Sequence, residues 1–240
     1  YRWWPRDRHC VGNCRNMTNI DKVAVIGAGV MGAGIAAHAA NAGIAVILLD
    51  VVPDGASNRS VLAETAVNKL LKANPAPLMH RRNTRHIQTG NLDDDLSLLA
   101  ECDLVIEAVI EDLEIKQDLY RRVDTARKPG SIVTSNTSTI PLAKLVSGLP
   151  EGFARDFAIT HFFNPPRYLR LLEVVAGTHT RADAITSLQV FGDRMLGKSV
   201  VQCKDTPGFI ANRIGILWTT SAIRFAFEDQ LSVEEADAIV

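Results

Sequence analysis

Cysteine is scarce. Four residues in a chain of 240 are too few for a disulfide scaffold, so the fold must rest on a hydrophobic core. No apolar run approaches the ~18 residues that a membrane-spanning helix requires. Charge of one sign is lacking too. The 26 Lys and Arg stand against 27 Asp and Glu, a formal net charge of −1, which argues against nucleic acid or an anionic membrane as partner. Internal repeats and low-complexity tracts are absent. What is present, 47% hydrophobic and 22% charged residues, is the balance of a globular protein and excludes disorder, collagen and coiled coil as global descriptions. At roughly 150 residues per domain, the length fits one large domain or two small ones.

The ends differ from the middle. Residues 1–16, YRWWPRDRHCVGNCRN, hold two of the three Trp, two of the four Cys and four Arg, and show no helical or strand periodicity. No apolar stretch follows the basic residues, so they are not a signal peptide. They are read as an extraneous or linker segment. His9, Cys10 and Cys14 lack a fourth ligand, and no metal site is expected. Without residues 1–16 the chain keeps 22 basic and 26 acidic residues, which weakens any case for nucleic acid further. At the other end the chain stops at Val240, inside a helix opened by a capping box of Ser232 and Glu235, and reads as cut there.

Between the ends, buried-strand patterns at 22–28, 45–50, 104–109 and 131–136 alternate with helical stretches at 30–42, 56–73 and 112–126. A weaker strand is expected at 85–89. Two more strands, 157–163 and 169–175, a helix over 181–196 and a strand at 198–203 follow. Continuous apolar strands separated by helices predict a mostly parallel sheet covered on both faces. Thr206 reads as an N-cap with Pro207 at the first helical position, opening a long helix to about Phe227. The division expected is 17–203 for the α/β domain and 204–240 for the start of an all-α second domain.

Gly27-Ala28-Gly29-Val30-Met31-Gly32 is a GxGxxG that follows a strand and opens a helix, with Asp50 ending the next strand 18 residues past Gly32. That context makes it a dinucleotide fingerprint of the Rossmann-type doubly wound fold. Gly27 permits the turn, Gly29 lets the backbone approach a pyrophosphate, and Gly32 lets helix and strand pack closely. The helix N-terminus offers N–H groups to the phosphates. Asp50 can accept bonds from ribose hydroxyls and would repel a 2′-phosphate, which favours NAD over NADP, with FAD the lesser option.

The fingerprint identifies a cofactor, not a reaction. His161 is a candidate base, since an imidazole titrates near ~6.5. Glu173, 12 residues on, can sit on the neighbouring strand and fix its tautomer. GAGVMGAGIA (27–36), EAVIEDLEIK (107–116), SNTS (135–138), HFFNPP (161–166) with LEVV (172–175), and KDTPGFIANR (204–213) together resemble the L-3-hydroxyacyl-CoA dehydrogenase family. The resemblance covers about residues 20–240 and looks most like bacterial members, including those fused to an enoyl-CoA hydratase.

The resemblance implies oxidation of an L-3-hydroxyacyl-CoA by NAD, with His161 and Glu173 as the catalytic pair. It implies that Ser138 bonds the substrate oxygen near the nicotinamide and that Asn212 reaches into the cleft to hold substrate. Glu111, Lys116 and Asn164 would contact the nicotinamide side of the cofactor, and Val30 and Met31 the surroundings of the pyrophosphate. It further implies a homodimer formed through the rest of the second domain; with no targeting segment apparent, the default location is the cytoplasm. A related dehydrogenase of a free hydroxy acid, such as the L-gulonate and crystallin-like proteins, and an NAD-binding fragment without turnover are the alternatives. One departure concerns CoA. Where the family often has Ser and Lys, DVVPDGASNRS supplies only Ser57 and Arg59, with Arg81, Arg82, Arg85 and His86 as a second basic group.

Overall fold

The computed structural model describes residues 20–239. The extraneous segment expected at 1–16, with His9, Cys10 and Cys14, lies outside them. Eight strands form one sheet: β1 (Lys22–Ile26), β2 (Ala45–Asp50), β3 (Ile87–Asn91), β4 (Leu104–Glu107), β5 (Ile132–Ser135), β6 (Phe157–Phe162), β7 (Leu171–Ala176) and β8 (Ser199–Cys203). Their order is β3-β2-β1-β4-β5-β6-β7-β8. All neighbours pair parallel except β6 and β7, which pair antiparallel. The chain reverses direction in strand order after β3, where β4 returns to the far side of β1. At such a crevice a doubly wound sheet binds its ligand.

Helices cover both faces. Helices α1 (Val30–Asn41), α2 (Val61–Leu70) and α6 (Ala182–Val190) pack with Val23, Val25, Val46 and Leu48 in one cluster. On the other face, α3 (Leu113–Ala126), α4 (Leu142–Leu145) and α5 (Glu151–Asp156) pack with Ala24, Ile26, Ile47 and Val105. Successive strand residues thus serve opposite cores, as the period of a strand dictates. Helix α1 is almost wholly buried over Gly32–Ala40, which its Ala and Gly residues allow by letting the backbone lie close to the sheet. Asp112 caps α3 by accepting from the Ile115 N–H (3.0 Å). Helices α7 (Ala211–Glu228) and α8 (Val233–Ile239) follow β8, and neither buries a residue. No helix among the described residues is long and apolar enough to cross a membrane.

Several boundaries differ from the sequence reading: strand β3, expected at 85–89, starts only at Ile87 because Arg81–His86 form a 3₁₀ turn. Helix α2 starts at Val61, not near 56, because the Asn58 side chain accepts from the Ser60 N–H in a tight turn. Helix α6 ends at Val190, and a wider π turn carries the chain to Met195. Thr206 and Pro207 do not open α7. Gly208 (φ 74°) and Phe209 (φ 44°) take left-handed backbone, so the helix starts only at Ala211.

His38 of α1 is buried with Nε2 on the Leu196 carbonyl (3.0 Å), while Nδ1 has no partner among the described residues. Burial first, then the nearby Lys198 ammonium, pulls its pKa from 6.5 down to about 4. The folded state therefore resists a proton that the unfolded chain accepts. Stability is unaffected above 6.5 and falls by up to about 3 kcal/mol as pH drops from 6.5 to 4. Melting His38→Met beside the parent across that range checks this. The variant should show the shallower decline, and parallel curves would contradict it.

Candidate active site

The glycines of the fingerprint are needed for distinct reasons. Gly27 sits at φ 100°, and a Cβ there would meet the Ala108 carbonyl at 2.5 Å. A Cβ on Gly32 would meet the Gly27 carbonyl at 1.8 Å, so turn and helix touch backbone to backbone. Gly29 differs: a Cβ there meets nothing within 4 Å. No packing among the described residues demands that glycine. It leaves open space at the N-terminus of α1, where the first N–H groups carry no side-chain cap and no acid lies in the first turn. An anionic pyrophosphate fits such a cradle. Asp50, ending β2, accepts from the Ala28 N–H (2.6 Å) and the Val51 N–H (2.7 Å), which ties the acid to the glycine loop. Each of its oxygens retains a lone pair for a ribose hydroxyl. Val30 is exposed and Met31 half-buried beside the loop.

A cleft of about 620 Å³ runs from this cradle past Thr65 and Lys69 of α2 to the loop carrying Asn164 and Arg167. Lys69, overlooked in the sequence because it lies on a helix rather than directly after Asp50, is a cation on this cleft. Arg59 is not available to it: Asp94 holds its guanidinium (2.6 Å), with Asp93 at 3.4 Å. Arg81, Arg82, Arg85 and His86 lie on a separate 3₁₀ turn, Arg81–His86.

At the carboxyl end of β4, Glu107 is buried and fully engaged. It accepts from Lys116 Nζ (2.6 Å), Tyr120 Oη (2.6 Å), Ser135 Oγ (2.7 Å) and the Val109 N–H (2.7 Å). Burial, followed by the Glu107 charge, raises the Tyr120 phenol well above its ordinary value. Lys116 is itself only 1% exposed and reaches Glu111 at 3.3 Å. Its ammonium thus joins the buried Glu107 to the half-exposed Glu111. Burial pushes the Glu111 pKa up, but hydrogen bonds from Thr137 and Thr139 and the Lys116 charge outweigh it and hold the pKa below the ordinary value. Ser138 donates its N–H to Glu111 (3.2 Å) and lies three residues beyond the end of β5. Its carbonyl accepts from the Gly208 N–H (3.2 Å). Asn136 Oδ1 accepts from the Phe162 N–H (2.9 Å) and so links the ends of β5 and β6.

His161 and Glu173 are register partners across the antiparallel β6–β7 pair, both buried. His161 Nδ1 lies 2.8 Å from Glu173 Oε2. A carboxylate only accepts, so Nδ1 carries a proton, and in the neutral imidazole Nε2 presents a lone pair. The other oxygen, Oε1, accepts from the Ile210 (3.0 Å) and Ala211 (2.9 Å) N–H groups at the start of α7. Phe163 and Phe209 flank the imidazole with ring centres 4.5 and 5.5 Å away. Asn212 lies in the first turn of α7, directly after Ala211, and is half-buried. Asn164 lies on the cleft beside Gly29. The sequence reading missed Glu107, Asn136 and Phe209. Glu107 ends an apolar strand in the manner of Asp50, a signal that was there to be used.

Fold and cradle together define a dinucleotide-binding domain of the doubly wound class. The family described as 3-hydroxyacyl-CoA dehydrogenase, NAD binding domain, matches residues 22–206, and the chain belongs to that family. It is 46% identical over 235 residues to a probable 3-hydroxyacyl-CoA dehydrogenase of Bacillus subtilis, covering 92% of this chain and 30% of that protein. It is 46% identical over 220 residues to another of that name from Deinococcus radiodurans, covering 92% of this chain and 64% of the relative. The chain therefore spans less than two thirds of the length of either. The crystal structure of 3-hydroxybutyryl-CoA dehydrogenase from Escherichia coli K12 superposes with a TM-score of 0.75 at 32% identity, covering 89% of this chain and 44% of that one. The cofactor of the cradle is NAD.

Proposed function

We propose that the protein carrying this chain oxidises an L-3-hydroxyacyl-CoA to the 3-oxoacyl-CoA and runs the reverse reaction. The observation that carries this reading is the buried His161–Glu173 pair, whose free Nε2 is a base ready for an alcohol proton. NAD, when bound, supplies the hydride acceptor. His161 takes the hydroxyl proton as the carbonyl forms, and Glu173 steadies the imidazolium. Ser138 holds the substrate oxygen and Asn212 the substrate body. Glu111 and Asn164 contact the nicotinamide side, with Lys116 fixing Glu111. Thr65 and Lys69 on the cleft are candidates for polar contacts to CoA, a role for which Arg59 is already engaged.

A second helical unit beginning after Cys203 belongs to the same proposal. Ile214, Leu217, Trp218 and Phe225 on α7 are each more than half exposed, which supports packing by further chain and by a second copy. Turnover by these 240 residues alone is expected to be slow, while NADH binding persists. The buried free thiols Cys102 and Cys203 accord with a cytoplasmic site of action.

The test compares NADH formation from 3-hydroxybutyryl-CoA with that from free 3-hydroxybutyrate and L-gulonate. The thioester should be strongly preferred. Equal or better turnover of a free acid would overturn the acyl-CoA assignment in favour of the related hydroxy-acid chemistry.

A further inference from the structure

Lys198, just before β8, is 3% exposed, and no carboxylate lies within ion-pair distance of it among the described residues. Burial alone lowers its pKa to about 8. A buried ammonium without a counter-charge is costly, and a methionine would fill the same channel. What the ammonium adds is a two-point bond to one segment. It donates to the Pro166 carbonyl and to the Leu169 carbonyl (2.8 Å), and it lies 5.8 Å from the Phe162 ring centre. Both carbonyls belong to the loop that joins the two strands bearing His161 and Glu173.

The same loop is fastened elsewhere. The Pro166 ring rests on α1 at Gly34, where a Cβ would come within 3.0 Å of it. Arg167 donates to the Ala76 carbonyl (2.5 Å), and Tyr168 Oη donates to it as well (2.9 Å). Asn164 and Pro165, ahead of these fastenings, share the cleft with Gly29 and Val30. On the β8 side the loop has one further tie, the Ser199 N–H donating to the Arg170 carbonyl (2.8 Å) at the end away from Asn164, so among the described residues the Lys198 side chain is what draws the Pro166 end toward β8.

We infer that Lys198 is a positioning residue for cofactor binding: by tying down loop 163–170 it sets Asn164 and Pro165 against the glycine cradle. The inference concerns the NAD cleft and does not depend on which hydroxy substrate is used. Titrating NADH by fluorescence into the 240-residue chain, with a thermal melt on each sample, tests it. Lys198→Met should bind NADH about tenfold more weakly, the loss expected for one charge-assisted hydrogen bond, while still melting cooperatively. Lys198→Arg, which keeps donors, should recover most of that loss. Undiminished NADH affinity in folded Lys198→Met would overturn the role. So would an equal loss in the arginine variant, since shape rather than bonding would then be responsible. Should the methionine variant not fold, Lys198→Gln, whose shorter amide keeps the space polar, is read by the same criteria.

Discussion

His161→Gln is expected to lower kcat for 3-hydroxybutyryl-CoA oxidation by about 10²–10⁴-fold, the usual contribution of a positioned base. NADH affinity should stay at the parent level, because His161 lies at the end of β6 and the glycine cradle at the start of α1. Glutamine fills much of the imidazole's space between Phe163 and Phe209 and can still donate to Glu173, so the fold is retained. What it lacks is a titrating nitrogen. Steady-state NADH formation beside a fluorescence titration separates the two effects. Near-parent turnover in the variant would remove His161 from the chemistry.

Glu173→Gln should cost a similar factor for a different reason. The native carboxylate only accepts: from His161 Nδ1 on one oxygen, and from the Ile210 and Ala211 N–H groups on the other. An amide has one accepting oxygen. If that oxygen faces α7, the NH₂ group opposes Nδ1–H and drives the imidazole into the wrong tautomer, with Nε2 protonated. If it faces His161, two buried N–H groups lose their acceptor, at about 1–3 kcal/mol each. Loss of a tautomer-fixing carboxylate elsewhere reaches about 10⁴ in kcat, and about 10²–10⁴ is expected here. A melt and an NADH titration establish that the variant is folded and loaded. Turnover within a few fold of the parent would show that Glu173 does not orient the base.

Much of this was legible in the residues. Gly27, Gly29, Gly32 and Asp50 announce their roles because turn, phosphate approach and ribose contact are local demands, met within one strand–helix–strand unit. The facing of His161 and Glu173 was also within reach, since 12 residues that include the Pro165-Pro166 turn suffice for two adjoining strands. The convergence of Lys116, Tyr120 and Ser135 on Glu107 was not. Those bonds span 9, 13 and 28 residues and depend on how α3 and β5 pack against β4, which no local period encodes. The start of α7 was misjudged because Thr-Pro is a sound N-terminal signal in isolation. Gly208 and Phe209 take left-handed backbone at that point, with Phe209 beside the His161 ring, and the helix starts only at Ala211.

The division of Glu173 between two structural neighbours makes it an interlock. One oxygen answers to the sheet and the other to the first turn of the helix that leads away from it. A helix shifted by a single bond length would release Oε1, let the carboxylate swing, and unlock the imidazole without touching it. Readiness of the histidine thereby reports whether the segment from Ile210 onward is seated. A protein chain emerging from the ribosome would have all eight described strands before it had a working base.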